Sequence, residues 1–226
     1  MPAPTASLTP LQRKILELLA DLEPPFVLVG GGAIAGFYFG HRLTRDLDLF
    51  WRERPLLGEL PREIQRRLAG ADLVVESLQT APQFHRFSVE AGSERCVLDL
   101  VAEPASFSES PTAVALGRVR IFVEAPLALL AEKLCALLGR AEPRDLDDVG
   151  RLLDAGTDLR AALALAPSID GGFSALTLAW VLDRLELQRI AAASGYDGPR
   201  AQELEALRKD LIERLISELP PAHESS

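Results

Sequence analysis

The sequence predicts an α+β fold, in which a mixed sheet with flanking helices is followed by an all-helical C-terminal domain. Short apolar runs typical of strands alternate with helical repeats as far as Val123. From Pro126 to Leu219, nearly every residue follows helical periodicity and the β-branched runs stop. We therefore expect an α/β domain over residues 1–124 and a helical bundle domain over residues 125–226.

The first domain opens with a helix, a strand and a glycine turn. Leu8–Ala20 repeats apolar residues at helical spacing, and Pro24-Pro25 follows as a stop. Phe26–Val29 is a continuous apolar run that predicts a strand. It leads into Gly30–Gly32, and the next segment, AIAGFYFGH, is long enough for a helix of about three turns. These segments predict a strand, a tight turn and a helix in succession.

Further strands and one helix complete the first domain. Leucines that alternate with acids predict a strand over Leu47–Trp51. Pro61 at the first position and Gly70 after the end predict a helix over Pro61–Ala69. Two runs that flank Ala91–Glu94 predict a β-hairpin with a four-residue loop. The other predicted strands are Leu73–Leu78, Phe84–Glu90, Arg95–Ala102 and, as the last of the sheet, Val119–Val123.

Composition excludes several classes of protein. The formal net charge is 24 − 33 = −9, so the average surface repels phosphate backbones and anionic membranes, and a nucleic-acid contact needs a local basic patch. Neither Cys96 nor Cys135 has a close partner, which argues against a disulfide framework or a zinc knuckle. The N-terminal segment lacks the pattern of a signal peptide, and Asp170 interrupts the apolar stretch Ala161–Leu182. We expect a cytoplasmic protein with no membrane partner.

Three acids form the most informative pattern. Asp46 and Asp48 are two residues apart on a predicted strand, so both carboxylates leave the same face, where hard cations such as Mg²⁺ bind oxygen ligands. Asp99 lies between Val97 and Val101 on its own predicted face, which makes it half-buried and in need of a partner. Two other interpretations stay open, since the strand acids could guard an exposed edge and Asp99 could pair with an arginine.

The glycines allow a second interpretation. Gly30, Gly32 and Ala35 fit the G-x-G-x-x-A form of a dinucleotide fingerprint, and Asp48 follows 18 residues after Gly30. This alternative is an NAD-binding Rossmann oxidoreductase. The position of the acids disfavours it, because Asp46 and Asp48 begin their predicted strand instead of ending it, and the later chain lacks regular alternation of strands and helices.

Two segments together resemble the AbiEii/AbiGii-type nucleotidyltransferase toxin family within the nucleotidyltransferase superfold. They are GGGAIAGFYFGHRLTRDLDLF and LLAEKLCALLGRAEPRDLDDVGRLL, and the resemblance covers about residues 26–153. It implies that a glycine pair holds a nucleoside triphosphate, that a D-x-D pair binds Mg²⁺, that a third acid completes the site and that a helical Lys approaches the phosphates. The residues that match these roles are Gly30 and Gly31, Asp46 and Asp48, Asp99, and Lys133.

One position departs from the family pattern. Relatives commonly have Ser or Thr directly after the glycine pair, where this chain has Gly32. Backbone N–H groups at a helix start still bind phosphate, so Gly32 remains a candidate nucleotide-binding residue. The departure leaves open a catalytically inactive nucleotide- or partner-binding protein of the same fold.

Further candidates come from charged residues near these motifs. Lys133 suits a point contact with phosphate, although a Lys paired with a neighbouring acid is the alternative. Pro143 at the first position of a helix puts Asp145 and Asp148 on one face, where they also complement the helix dipole. Arg45 belongs to a group of seven arginines between residues 42 and 67 that could steer a nucleic acid.

The resulting hypothesis is a nucleotidyltransferase that uses Mg²⁺ or Mn²⁺ and moves a nucleoside monophosphate from an NTP to a hydroxyl. Asp46 and Asp48 would hold the metal, and Asp99 would serve as a further metal ligand and catalytic residue. The resemblance suggests the 3′ end of a tRNA as acceptor, and a protein or small-molecule hydroxyl stays open. A toxin of this family also implies an antitoxin protein as partner.

Overall fold

A computed structural model describes residues 7–104 and 110–218. The chain divides into two compact units between Ala125 and Pro126. The described part of the first unit combines a seven-stranded sheet with helices α1 (Pro10–Leu19), α2 (Gly30–Ala33), which continues as a π-helical segment (Ile34–Phe39), and α3 (Leu60–Ala69). The described part of the second unit is helical and contains α4 (Pro126–Arg140), α5 (Pro143–Asp154), α6 (Leu159–Ile169), α7 (Ala175–Asp183), α8 (Leu187–Ala193) and α9 (Gly198–Ser217).

The sheet is mixed, as predicted, with the order β3-β4-β5-β2-β1-β7-β6. The strands are β1 (Val27–Val29), β2 (Asp46–Arg52), β3 (Val74–Ala81), β4 (Phe84–Ala91), β5 (Glu94–Glu103), β6 (Thr112–Leu116) and β7 (Val119–Val123). β2 pairs with β5 in parallel and with β1 in antiparallel orientation, and β1 pairs with β7 in parallel. The Rossmann alternative is wrong, because the first two strands of a dinucleotide-binding unit are parallel.

The middle strand, β2, separates a buried face from a partly exposed one. Leu47, Leu49 and Trp51 are buried on one face, and the residues between them are only half-buried on the other. The Trp51 indole Nε1 donates to the Pro24 carbonyl at 2.9 Å, and its ring meets Phe26 edge-on. The apolar core of the first unit therefore lies on the leucine face of β2.

Helix α1 is tied to the segment that leads into β2. Thr9 caps the helix in a capping box with Gln12, in which each side chain accepts from the other residue's backbone N–H. The Gln12 amide Nε2 also donates to the Thr44 carbonyl at 3.1 Å, and this contact is buried. The cap of α1 thus holds the backbone at Thr44, two residues before β2 begins.

Three local predictions differ from the structure. The glycines do not form a turn before a helix, because Gly30 itself begins α2. The hairpin between β4 and β5 has a two-residue loop and not four residues, since Ala91 and Glu94 are still paired. Strand β6 was not predicted, because its sequence, TAVAL, is short and rich in Ala, which has a low preference for strands.

The helical unit has its own apolar core. Leu129, Leu130, Leu134 and Leu137 of α4 are completely buried, as expected for a central helix that contacts α5, α6 and α7. Side chains of Asp158, Ser174 and Asp197 cap α6, α7 and α9 respectively. None of the helices in residues 7–104 and 110–218 has the length and apolar character needed to cross a membrane.

Candidate active site

The two carboxylates of β2 lie on the face of the sheet opposite its leucines. Asp46 and Asp48 are half-buried there, because side chains two residues apart on a strand point to the same face. The hydroxyl of Thr44 donates to the Asp46 carbonyl at 3.2 Å, at the start of the strand. The strand thus presents the D-x-D pair at its first residues.

The register of the sheet brings Asp99 next to this pair. Asp48 is paired with Val29 of β1 on one side and with Asp99 of β5 on the other, and Asp99 is paired in turn with Arg86 of β4. Directly paired residues point to the same face, on strands about 4.8 Å apart. The structure therefore brings all three predicted acids together, with Arg86 beside them.

Asp99 is bound by Arg86 through both carboxylate oxygens. Arg86 Nε donates to Oδ1 at 2.7 Å, and Nη2 donates to Oδ2 at 2.6 Å. The Asp99 side chain is 10% exposed, whereas the Arg86 side chain is 41% exposed. The hydrogen bond to Asp99 raises the pKa of Arg86 above its ordinary value, and the charges of Asp99, Asp46 and Asp48 add to this effect. Arg86 therefore remains a cation that sits directly beside the acids.

Gly30 makes room for the Asp48 carboxylate. Its φ is +62°, a backbone conformation that L side chains rarely adopt. A Cβ at this position would lie 2.5 Å from Asp48 Oδ2, so any side chain would push the carboxylate aside. The start of α2 and the D-x-D strand therefore approach each other as closely as only glycine allows.

Two glycine variants distinguish the effect of backbone strain at positive φ from the effect of displacing the Asp48 carboxylate. Gly30→Ala and the control Gly58→Ala both put a side chain at positive φ, +62° and +61°, but a Cβ at Gly58 meets no atom within 4 Å. We expect both variants to lose about 1–2 kcal/mol of unfolding free energy. Only Gly30→Ala should also weaken Mn²⁺ binding, by about tenfold in calorimetry, because it displaces Asp48. Equal Mn²⁺ affinity in the two variants would contradict the role of Gly30.

The next two glycines have different neighbours. A Cβ at Gly31 would lie 2.7 Å from Arg42 Nη2, so the Arg42 guanidinium covers this part of the helix start. A Cβ at Gly32 would lie 3.3 Å from a Leu28 methyl and 3.4 Å from a Leu47 methyl. Close packing of α2 on the leucine face of the sheet thus leaves little space for a side chain at Gly32.

Asp46 and Asp48 are suited to hold a divalent cation. Both supply hard oxygen donors on one face, and the absence of a side chain at Gly30 keeps space for Asp48. Among residues 7–104 and 110–218, no group of three or more His, Cys, Asp or Glu side chains is arranged as a metal site. Both oxygens of Asp99 accept hydrogen bonds from Arg86, and the adjacent guanidinium charge opposes a cation at this third carboxylate.

In the helical unit, the predicted Lys133, Asp145 and Asp148 form a buried ionic cluster. Lys133 Nζ lies 2.8 Å from Asp145 Oδ1 and 2.8 Å from Asp148 Oδ2, and both carboxylate side chains are 0% exposed. Arg140 Nε also donates to Asp145 at 2.7 Å. Burial raises the pKa of Asp145, but the hydrogen bonds and charges of Arg140 and Lys133 outweigh it and hold that pKa below its ordinary value. The carboxylate of Asp145 is therefore held in its ionised form within the cluster.

Sequence reasoning missed two features of the acidic face. Arg86 was not selected, although the predicted hairpin of Phe84–Glu90 with Arg95–Ala102 already places it opposite Asp99. Arg52 Nη2 lies 2.5 Å from Glu124 Oε2, and Glu124 is 1% exposed. The Tyr38 hydroxyl donates to the Glu124 carbonyl at 2.8 Å, which ties the π-helical segment to the end of β7. The predicted Arg45 is exposed directly before β2.

The fold is that of the nucleotidyltransferases. MenT4, a nucleotidyltransferase toxin from Mycobacterium tuberculosis, is similar with a TM-score of 0.62 and 18% identity, over 95% of this chain and 87% of MenT4. JHP933 from Helicobacter pylori is similar with a TM-score of 0.52 and 20% identity, over 92% of this chain and 91% of that protein. Both matches extend over most of each chain.

The chain belongs to the AbiEii family, the nucleotidyl transferase toxins of type IV toxin–antitoxin systems, whose family model matches residues 14–219. The resemblance noted from the two sequence segments is therefore confirmed, and the match reaches well beyond them. Comparison with curated proteins gives no match.

Proposed function

We propose that the chain transfers a nucleoside monophosphate from an NTP to a hydroxyl acceptor in a reaction that depends on Mg²⁺ or Mn²⁺. One observation carries the proposal: the Asp48 carboxylate of the D-x-D pair lies directly against a helix that starts with glycine. The space for a side chain at Gly30 is taken by an oxygen of Asp48. Such a junction combines oxygen ligands for a cation with backbone N–H groups for phosphate.

The residues of this junction take separate roles in the proposal. Asp46 and Asp48 hold the cation, which when bound neutralises triphosphate charge and activates the acceptor oxygen. The first N–H groups of a helix lack partners within the helix, and we assign those of Gly30, Gly31 and Gly32 to the triphosphate. In the transfer, the acceptor oxygen bonds to the α-phosphorus, the bond between the α- and β-phosphates breaks, the acceptor proton leaves to solvent, and pyrophosphate departs.

Family membership supports a proposal for the acceptor and one for the partner. MenT4 is described as a nucleotidyltransferase toxin, and the family is that of type IV toxin–antitoxin systems. We propose the 3′ end of a tRNA as the first acceptor to test, with a protein or small-molecule hydroxyl as the alternatives. We also propose that an antitoxin protein acts against this chain.

A second candidate function is nucleotide or partner binding without turnover. The observation that favours it is the Asp99–Arg86 pair, because each Asp99 oxygen already accepts a hydrogen bond from Arg86, whose positive charge opposes a cation at that carboxylate. In this alternative the site binds an NTP through the glycine helix and the D-x-D pair, but does not release pyrophosphate.

Titration with NTPs distinguishes these functions. The protein is mixed with each of the four NTPs, with and without Mg²⁺, while calorimetry records binding and a coupled assay records pyrophosphate. We expect at least one NTP to bind only when Mg²⁺ is present, and pyrophosphate to appear when total tRNA is added. Binding without release under any acceptor would favour the second candidate. If no NTP binds under any condition, nucleotidyl transfer and nucleotide binding are both wrong and the acidic face is structural.

A further inference from the structure

Arg86 lies at one end of a row of residues that crosses four neighbouring strands of the sheet. Gly30 follows β1, Asp48 is on β2, Asp99 is on β5 and Arg86 is on β4, and these four strands are consecutive in the sheet. The glycine helix and Arg86 therefore flank the acids from opposite sides. A charged phosphate that approaches Asp46 and Asp48 from the β4 side meets Arg86 first.

The contacts of Arg86 leave part of its guanidinium available. Asp99 accepts from Nε and Nη2, which uses two of the five N–H groups of an Arg side chain. The guanidinium carbon lies 5.5 Å from the centre of the Phe84 ring. Across residues 7–104 and 110–218, Asp99 is the one hydrogen-bond partner of the Arg86 side chain. One edge is fixed by Asp99, and the remaining N–H groups belong to a side chain that is 41% exposed.

The unequal exposure of its two side chains distinguishes the Asp99–Arg86 ion pair from one that only stabilises the fold. The acid is the buried partner, at 10% exposure, so Asp99 acts as a rigid anchor from which the guanidinium extends outward. A guanidinium fixed on one edge loses little further side-chain entropy when its other edge binds an oxyanion. Its planar fork also matches the oxygens of phosphate.

We propose that Arg86 binds a phosphate group of one of the two substrates at the acidic face, and that Asp99 is its positioning residue and not a cation ligand. This inference rests on the proposed function, and it assigns Asp99 a role other than the metal contact implied by the family resemblance. The phosphate belongs either to the NTP or to a nucleic-acid acceptor, and the two sources are separated by the choice of probe.

The test is a double-mutant cycle with Arg86→Gln, Asp99→Asn and the combined variant. The matched control is Arg95→Gln. Arg95 is on the neighbouring strand β5, on the same face of the sheet as Arg86, and its side chain is 58% exposed, so the variant removes a positive charge of the same kind. Two probes are titrated by calorimetry in the presence of Mg²⁺: inorganic tripolyphosphate for the NTP side, and a mixed-sequence RNA oligonucleotide for the acceptor side. Urea unfolding of every variant verifies that it is folded.

We expect Arg86→Gln and Asp99→Asn each to weaken binding of one probe by about tenfold, and the combined variant to weaken it no further, because both changes remove the same contact. Arg95→Gln should bind within about twofold of the wild type. The probe that is affected identifies the substrate that supplies the phosphate. The combined variant carries no unpaired buried charge, so it stays informative if a single variant is unstable.

Two results would overturn the inference. In the first, Arg86→Gln binds both probes as the wild type does. In the second, Asp99→Asn raises the Mg²⁺ concentration for half-maximal binding while Arg86→Gln leaves it unchanged, which would make Asp99 a cation ligand. Release of pyrophosphate by the wild type tests the proposed function separately. If the wild type turns over and Arg86→Gln binds normally, only the inference about Arg86 fails.

Discussion

Asp48→Ala is expected to abolish nucleotidyl transfer while the protein stays folded. The variant removes one of two carboxylates that would hold the cation, and loss of about 4 kcal/mol of transition-state stabilisation corresponds to about a 10³-fold lower rate. Asp48 is half-buried on the open face of the sheet, outside the leucine core. Its replacement should therefore change the unfolding free energy by less than about 1 kcal/mol. Pyrophosphate release and urea unfolding measure the two effects.

The control for this variant is Glu90→Ala. Glu90 is an exposed acid on β4, on the same face of the sheet as Arg86 and Asp48. Its carboxylate lies 3.6 Å from Arg95 Nε. Removing it changes the net charge of the protein by the same amount as Asp48→Ala, and it should leave turnover unchanged. Normal turnover in a folded Asp48→Ala protein would contradict the assignment of the acidic face as the active site.

Of the variants described, Lys133→Met is expected to lower the unfolding free energy most. Its ammonium contacts two carboxylates that are completely buried, Asp145 and Asp148. Without Lys133, both acids stay buried with less compensating charge, although Arg140 still contacts Asp145. Breaking a buried ion pair from one side typically costs about 3–5 kcal/mol. Urea unfolding should show this loss.

Two further variants test the cause of that loss. Lys209→Met removes a Lys that is 66% exposed and 3.8 Å from Glu205, so it should change the unfolding free energy by less than about 0.5 kcal/mol. Adding Asp148→Asn to Lys133→Met should recover part of the loss, because one buried charge is removed. A Lys133→Met protein with wild-type stability but weakened NTP binding would instead support the predicted contact between Lys133 and the phosphates.

The sequence predicted features that depend on local spacing. The alternation of acids and leucines in β2 was sufficient to place Asp46 and Asp48 on one face, since that geometry follows from the period of a strand. The helix that begins at Pro143 likewise places Asp145 and Asp148 near each other because of helical spacing. These patterns hold regardless of what the elements pack against.

Features that depend on contacts distant in sequence could not be predicted. The pairing of Asp48 with Asp99 requires the register of β2 against β5, and no local pattern encodes that register. The start of α2 at Gly30 is a second example, because three glycines have low helix propensity. The helix begins there because Gly30 permits a positive φ beside Asp48, which is a tertiary constraint.

The central position of β2 in the sheet has a consequence for how substrates meet the acids. Asp48 lies on a strand with hydrogen-bonded neighbours on both sides, so its Cα moves only if pairing to β1 or β5 breaks. The conformational entropy of this backbone is therefore lost during folding and not during substrate binding. Amide protons of β2 should accordingly exchange with solvent only when the whole unit unfolds. The acidic face is preorganised, and adjustment to a ligand is confined to side-chain rotation.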